Sequence, residues 1–167
     1  MTAAPAGVGA GKWVGFALVL ALLVAVLVWA GTQRAVDAAR PADIAYMSAH
    51  KGKPGVKTTA SGLQYEVLTE GNGPMPVATD TVAVHYEGKL LDGTVFDSSI
   101  ARGQPAEFPL NRVIPGWTEG VQLMKVGSVY VFTVPPELGY GPQGAGGVIP
   151  PNAVLIFRIE LLGVQGK

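Results

Sequence analysis

Imidazole and thiol side chains, which commonly act as nucleophiles, bases or metal ligands, are scarce in this 167-residue chain. The sequence has two histidines, His50 and His85, and no cysteine, which excludes thiol nucleophiles, disulfides and thiolate metal sites. Ser98 and Ser99 could serve a hydrolase, but no G-x-S-x-G motif surrounds them. In the strand predicted there, His85 alternates onto the opposite face from Tyr86, so we do not expect a catalytic triad to converge. These residues predict neither a hydrolase nor a metal site.

The positions of the aromatic residues indicate a candidate binding site. Trp117 stands in the segment VIPGWTEGV (residues 113–121), in the first turn of a predicted helix, so its indole is expected at the rim of a sheet. The inward positions of the predicted neighbouring strands are also aromatic, at Tyr86, Phe96, Phe108 and Phe157. With the adjoining Gly-rich loop GYGPQGAGGVIPP, they predict a concave apolar site with a flat floor. The alternative, that these rings are simply core, stays open.

The elements that would position these rings are strands and one helix. Alternating apolar residues predict strands at LQYEVLT, DTVAVHYEG, SVYVFTV and AVLIFRIELLGV, and Asp92-Gly93 predicts a hairpin turn. Pro115 suits a first helical position, the stripe ends at Met124, and Gly127 can cap the helix, which predicts two to three turns. The fold class predicted is α+β, an antiparallel sheet packed on one short helix.

Charge and loop composition exclude two further classes of function. Twelve Lys and Arg balance twelve Asp and Glu, so no net field would recruit nucleic acid. The Gly-rich loop lacks the Lys-Ser/Thr ending of a phosphate-binding loop and is followed by Pro-Pro instead of a helix, which excludes nucleotide binding of that type.

Residues 1–31 read as a membrane anchor. Residues 14–30 carry no charge and no proline, and a helix of that length would cover about 25 Å, slightly less than a hydrocarbon layer of about 30 Å. Trp13 and Trp29 flank the segment as interfacial aromatics do. We therefore expect residues 13–31 to contact the membrane, preceded by Lys12 on the inner side and followed by an exported domain.

A cleaved signal peptide is the alternative for the same residues. Lys12 gives a positive start, and Val28-Trp29-Ala30 is an acceptable small-x-small cleavage site. The mature protein would then be soluble and periplasmic or secreted. Basic residues Arg34 and Arg40 lie on the far side of the segment, so the Lys/Arg count alone does not fix the orientation.

Residues 32–60 read as a linker of small and polar residues. A short helix is expected around residues 41–49, and residues 51–60 are expected to form a flexible tether. His50 is expected to be a solvated linker residue. The folded domain is predicted to begin at residue 61 and to extend to residue 167.

Three blocks of this domain resemble a known family. The sequences VAVHYEGKLLDGTVFDSS, VIPGWTEGV and GYGPQGAGGVIPPNAVLIFRIELL occur in this order. Together they resemble the FKBP-type peptidyl-prolyl cis-trans isomerases over about residues 61–164. The resemblance implies a twisted antiparallel β-sheet wrapped around one short α-helix, here preceded by the N-terminal hydrophobic helix.

The resemblance also implies the residues of a prolyl pocket. Trp117 would be its floor, and Asp97 would be the polar group of its wall that orients Tyr86, although Asp97 could instead be a turn residue. The implied catalytic residues are Tyr86, Phe96, Asp97, Trp117, Tyr140 and Phe157. The implied substrate-binding residues are Phe108, Val113, Ile114, Val148 and Ile149. The sequence departs from some members at Ala145, where they carry His, which affects contacts through that loop tip.

Such a pocket suits the chemistry of prolyl isomerisation. An X–Pro bond rotates against a barrier of about 18–20 kcal/mol, and no bond is broken, so no metal or other cofactor is expected. Twisting removes amide resonance and leaves a less polar C–N unit, which an apolar cavity with little water would favour. A preference of about 5 kcal/mol for the twisted amide would accelerate rotation by about 10³–10⁴.

The sequence therefore predicts a peptidyl-prolyl cis-trans isomerase acting on proline-containing polypeptides outside the cytoplasm. The competing hypothesis is a tethered chaperone that binds apolar or proline-containing segments without turning them over. The resemblance implies macrolide inhibitors as candidate ligands. No nucleic acid is expected as a partner.

Overall fold

Seven antiparallel strands form one sheet in the computed structural model of the chain, which describes residues 41–167. The strands are β1 (Lys57–Thr58), β2 (Gln64–Thr69), β3 (Thr81–Leu90), β4 (Val95–Ser98), β5 (Ala106–Pro109), β6 (Val129–Val134) and β7 (Leu155–Val164). Their order is β1-β2-β6-β7-β3-β4, and β5 pairs with the first half of β3. The fold class predicted from the sequence is confirmed.

The two ten-residue strands form the centre of the sheet. Along β3, Val82, Val84 and Tyr86 are buried, as the alternation predicts, because successive side chains point to opposite faces. The partner strand β7 buries Leu155, Phe157, Ile159 and Leu161 on the same inner face. The predicted hairpin at Asp92-Gly93 is present between β3 and β4, with Gly93 at φ 88°.

The predicted helix covers the inner face of the sheet but is shorter than expected. The described residues form three α-helices, α1 (Pro41–Lys51), α2 (Ser99–Arg102) and α3 (Pro115–Val121), of which α3 is the predicted helix and begins at Pro115 as expected. Helix α3 ends before Met124, although Met124 is fully buried. Gly127 adopts φ 93° and donates its N–H to the Leu161 carbonyl at 2.8 Å instead of capping the helix. The last turn of the predicted helix is therefore replaced by a turn that docks on β7.

A second short helix interrupts the region where only one was predicted. Helix α2 spans Ser99–Arg102, between β4 and β5. The Ser98 hydroxyl accepts the Ala101 N–H at 3.1 Å, and Gly103 ends the helix at φ 72°. These two local signals explain how four residues hold a helical turn.

Residues 41–60 contain one helix and one short strand. Helix α1 spans Pro41–Lys51, and β1 pairs with β2. His50 is 5% exposed, its Nδ1 lies 2.8 Å from Gln64 Oε1, and its Nε2 lies 3.1 Å from Glu66 Oε1. The prediction of a solvated His50 is wrong because the sequence pattern does not show that α1 packs against β2 through polar side chains.

The predicted hydrophobic helix, the anchor or signal segment of residues 1–31, lies outside the described residues. Within residues 41–167, every helix is too short or too polar to cross a bilayer.

Candidate functional site

A cavity of about 660 Å³ opens between helix α3, the inner face of the sheet and the loop of residues 139–152. All eleven residues predicted for the site line it: Tyr86, Phe96, Asp97, Phe108, Val113, Ile114, Trp117, Tyr140, Val148, Ile149 and Phe157. Sequence reasoning did not include three further lining residues, Arg112, Ala145 and Gly146. The roles given to the predicted residues remain predictions.

Trp117 forms the floor of this cavity. The residue is only 5% exposed overall, yet the ring lines the open space and is not sealed beneath its neighbours. Three rings stand nearly perpendicular to the indole, with Tyr86, Phe108 and Phe157 at centroid distances of 5.1, 5.5 and 5.4 Å. Edge-to-face contacts of this kind add to the burial energy of each ring.

Packing alone holds the indole at this position. Within residues 41–167, the Trp117 Nε1–H is a buried donor that has no hydrogen-bond partner. An unpaired buried donor costs free energy, which the surrounding rings must offset. The floor is therefore set by the shape of its neighbours and not by a directed bond.

Gly88 allows the cavity wall to form. Residue 88 is an inward position of β3, opposite Phe157 on β7 and Asp97 on β4. A Cβ at residue 88 would lie 2.6 Å from the Phe157 ring and 2.7 Å from the Phe96 ring. A glycine inside a strand is the sequence signal for such a close approach.

A hydrogen-bond network joins two residues of the cavity lining, Tyr86 and Asp97, to Arg102 on helix α2. The Tyr86 hydroxyl donates to Asp97 Oδ2, and Arg102 Nη1 donates to Asp97 Oδ1. Arg102 Nη2 also donates to the Tyr86 hydroxyl oxygen at 3.0 Å, and its guanidinium carbon lies 5.6 Å from the Tyr86 ring centroid. Both carboxylate oxygens of Asp97 are therefore engaged, and Arg102 balances its charge.

The ionisation of Asp97 and Tyr86 follows from this geometry. Burial opposes the charged form of Asp97, but hydrogen bonds from Tyr86 and Arg102 outweigh it and hold the pKa of Asp97 below its usual value. Burial, together with the hydrogen bond to Asp97, raises the pKa of Tyr86. Near neutral pH the pair is an anionic acceptor and a neutral donor.

Sequence reasoning missed Arg102. It lies in the last turn of α2, where the Ser98 cap and Gly103 turn the chain back toward β3. The cap sequence could have indicated the helical turn, but only the sheet register shows that Arg102 meets Tyr86, sixteen residues away in sequence.

His85 and Ser99 lie closer than predicted. His85 Nδ1 is 3.1 Å from Ser99 Oγ, so these two side chains meet, whereas the prediction concerned the convergence of a full catalytic triad. Ser99 is fully buried, and its hydroxyl accepts the Tyr86 N–H at 2.8 Å and donates to the Tyr86 carbonyl at 3.3 Å. The Ser99 side chain therefore links α2 to β3 through hydrogen bonds. Because it is buried, its hydroxyl is not accessible as a nucleophile. Among residues 41–167, no group of three or more His, Asp or Glu side chains could hold a metal ion.

Two family models match the chain, one in its carboxyl-terminal domain and one in the segment before it. Residues 73–162 match the model described as FKBP-type peptidyl-prolyl cis-trans isomerase, and residues 28–67 match the domain amino terminal to such isomerases. The second match includes the whole predicted linker of residues 32–60.

Individual proteins show the same similarity. The chain is 61% identical over 120 residues to an FKBP-type peptidyl-prolyl cis-trans isomerase FkpA of Aeromonas hydrophila, covering 72% of this chain and 44% of the relative. It is 51% identical over 121 residues to an outer membrane protein MIP of Legionella longbeachae, covering 72% of this chain and 52% of the relative. The chain thus spans about half the length of these curated relatives.

A solved structure shows the same fold. The crystal structure of FkpA from Escherichia coli superimposes with a TM-score of 0.79 at 36% identity, covering 95% of this chain and 74% of the other.

Proposed function

Because the chain belongs to the FKBP-type peptidyl-prolyl cis-trans isomerases, enzymes of the EC 5.2.1.8 class, we propose that it accelerates X–Pro bond rotation in exported polypeptides. The observation that carries the proposal is the open cavity floored by Trp117, with Tyr86, Phe108 and Phe157 standing on the floor. A pyrrolidine ring would rest against the indole, with the amide between aromatic walls.

The proposed mechanism is preferential binding of the twisted amide. A planar amide is charge-separated and prefers water, whereas the twisted form has lost resonance and suits an apolar cavity. Only interactions stronger in the twisted state lower the barrier, so the enzyme needs shape and exclusion of water and no proton transfer. The Ile114 N–H and the Tyr140 hydroxyl are the proposed donors to substrate carbonyls.

Asp97 would act by orienting Tyr86 and would not transfer a proton to or from the substrate. As an anion bonded to both Tyr86 and Arg102, it has no proton to give near neutral pH. We assign it the orientation of Tyr86 and of the wall above the indole. The polypeptide substrates, and macrolides as competing ligands, would enter the same cavity.

Exchange NMR on a proline peptide tests the proposal. The full chain in detergent micelles is added to an Ala-Leu-Pro-Phe peptide, and the cis/trans exchange rate is measured. The expected acceleration at saturation is about 10³–10⁴. Peptide binding without acceleration would support the alternative function, a chaperone that grips apolar or proline-containing segments, since the same cavity could serve both.

We also propose that residues 13–31 anchor the chain, with the domain on the exported side of the membrane. The apolar run of residues 14–30 supports this address, and one relative is described as an outer membrane protein. Fractionation and intact-mass measurement distinguish the alternatives. A membrane-bound chain of full mass supports the anchor, whereas a soluble chain that begins at Gly31 supports cleavage after Ala30.

A further inference from the structure

The loop of residues 139–152 brings three predicted site residues, Tyr140, Val148 and Ile149, to the cavity. Ala145 and Ile149 exchange backbone hydrogen bonds of 3.0 Å in both directions, which folds the loop on itself. Tyr140 is 41% exposed and Val148 is 58% exposed, so neighbouring side chains hold this side of the cavity less firmly than the sheet holds the other.

A strained turn ends the loop. Asn152 has φ 54°, the one positive φ of a non-glycine residue among residues 41–167. Its N–H donates to the Gly141 carbonyl at 2.9 Å, which ties the end of the loop to its beginning. A backbone conformation of this kind persists only where the surrounding structure holds it.

Helix α1 supplies a contact directly after this turn. The Val154 N–H donates to Asp43 Oδ2 at 2.9 Å, across 111 residues of sequence. Asp43 is 4% exposed and Val154 is 1% exposed, so the bond is shielded from water. Asp43 does not line the cavity, and Val154 lies immediately before β7 begins at Leu155.

We infer that Asp43 is a positioning residue for the proposed isomerase. By accepting the Val154 N–H, its carboxylate fixes the point at which the chain passes from the loop into β7. Fixing this point also fixes the adjoining turn at Asn152. Because the Asn152 N–H donates to the Gly141 carbonyl, the turn then positions Tyr140 and Ile149 against the substrate. The inference rests on the proposed function, because the loop is assigned to substrate binding.

Helix α1 offers an internal control. Asp43 and His50 are its two buried residues, one near each end. The His50 ring bonds to Gln64 and Glu66 on β2 and has no bond to the 139–154 segment. Replacing His50 therefore loosens the helix without removing the contact to Val154.

The experiment compares three substitutions of Asp43 in the full chain. Asp43→Ala removes the acceptor, Asp43→Ser shortens it but keeps a polar residue in the first helical turn, and Asp43→Asn keeps an oxygen for the Val154 N–H. The dissociation constant and the exchange rate at saturation are measured by NMR with the Ala-Leu-Pro-Phe peptide. Hydrogen exchange of the amides of residues 139–154 is measured without peptide.

The Ala and Ser variants are expected to bind the peptide about two- to thirtyfold more weakly, with a smaller change in the rate at saturation. Their amides in residues 139–154 are expected to exchange faster, whereas Asp43→Asn and His50→Ala stay near wild type in both measurements. If Asp43→Ala does not fold, Asp43→Ser replaces it.

Wild-type affinity and wild-type amide protection in the Ala and Ser variants would overturn the inference. An equal loss in His50→Ala would also overturn it, because docking of the whole helix would then be responsible. A wild-type chain without acceleration would refute the isomerase proposal instead. In that case the amide exchange of residues 139–154 alone decides the role of Asp43.

Discussion

At the scale of single residues, the proposed site contains one carboxylate, Asp97, to which we assign no acid–base chemistry. Asp97 accepts hydrogen bonds from Tyr86 and Arg102, so its charge is already used in holding two neighbours. This agrees with a reaction that breaks no covalent bond. The bonds to Tyr86 and Arg102 favour the proposed orienting role of Asp97 over that of a residue that only caps its own turn.

Replacement of Asp97 should therefore lower activity more than stability. Asp97→Val is expected to reduce kcat/KM several-fold or more, because Tyr86 loses its acceptor and Arg102 its partner. The ion pair with Arg102 is partly exposed, and such pairs contribute at most about 1 kcal/mol, so the fold should persist. Exchange NMR and circular dichroism check both parts. Asp97→Asn, which keeps the shape without the charge, should lose less, and unchanged turnover in Asp97→Val would refute the role.

The pH dependence of activity follows from the same pair. Since the pKa of Asp97 is lowered and that of Tyr86 is raised, neither group titrates between about pH 5 and pH 9, and activity should be flat there. The stability that Asp97 contributes is present above its unfolded pKa of about 3.9 and is lost as the pH falls through the lower folded value. Activity should accordingly decline only below about pH 4. A profile with a midpoint near pH 6 in the wild type would contradict this assignment.

At the scale of elements, the short helix α3 fits against the sheet because two of its seven residues are glycines on the buried face. A Cβ on Gly120 would lie 2.6 Å from the Phe132 ring, and one on Gly116 would lie 2.7 Å from Val134. Helix propensity alone would favour alanine over glycine by about 1 kcal/mol. The close approach of α3 to β6 nevertheless requires glycine at residues 116 and 120, because a Cβ there would collide with Val134 or Phe132.

Gly120→Ala is expected to destabilise the protein by about 1–3 kcal/mol, because overpacking against Phe132 exceeds the gain in propensity. Urea unfolding measures the change in the free energy of unfolding. Gly163→Ala in β7 is the matched control, since a Cβ there meets no atom within 4 Å and should cost little. A Gly120→Ala variant as stable as the wild type would show that Phe132 can move away.

At the scale of the whole described region, we expect local stability to differ between the central strands and helix α1. Strands β3 and β7 pair over most of their length and bury a continuous apolar face, whereas the two buried residues of α1 are both polar. Regions with few buried apolar contacts open at lower free energy than the core.

Native-state hydrogen exchange in low urea should therefore separate these regions. The amides of α1 are expected to exchange through partial opening, at a lower free energy than those of β3 and β7, which should approach global unfolding. The His50→Ala variant should lower the protection of α1 further and leave β3 unchanged. Equal protection of α1 and β3 in the wild type would show that the helix unfolds only with the sheet.

The sequence by itself determined the strands β2, β3, β6 and β7, the start of α3 and the aromatic set around Trp117. Strand alternation depends on a period of two that Val82, Val84 and Tyr86 display directly, and Pro115 marks a helix start through its own backbone restriction. Local rules of this kind act over a few residues, so they can be read from the chain.

Only the tertiary structure decided how distant polar residues meet. Arg102 reaches Tyr86 because β4 and α2 return beside β3, and Asp43 reaches Val154 across most of the domain. Helix α1 has no apolar stripe from which its packed face could be predicted, because its buried residues, Asp43 and His50, make their contacts through hydrogen bonds. Such bonds depend on the position of a partner strand or loop, and that position is set by the packing of the whole sheet.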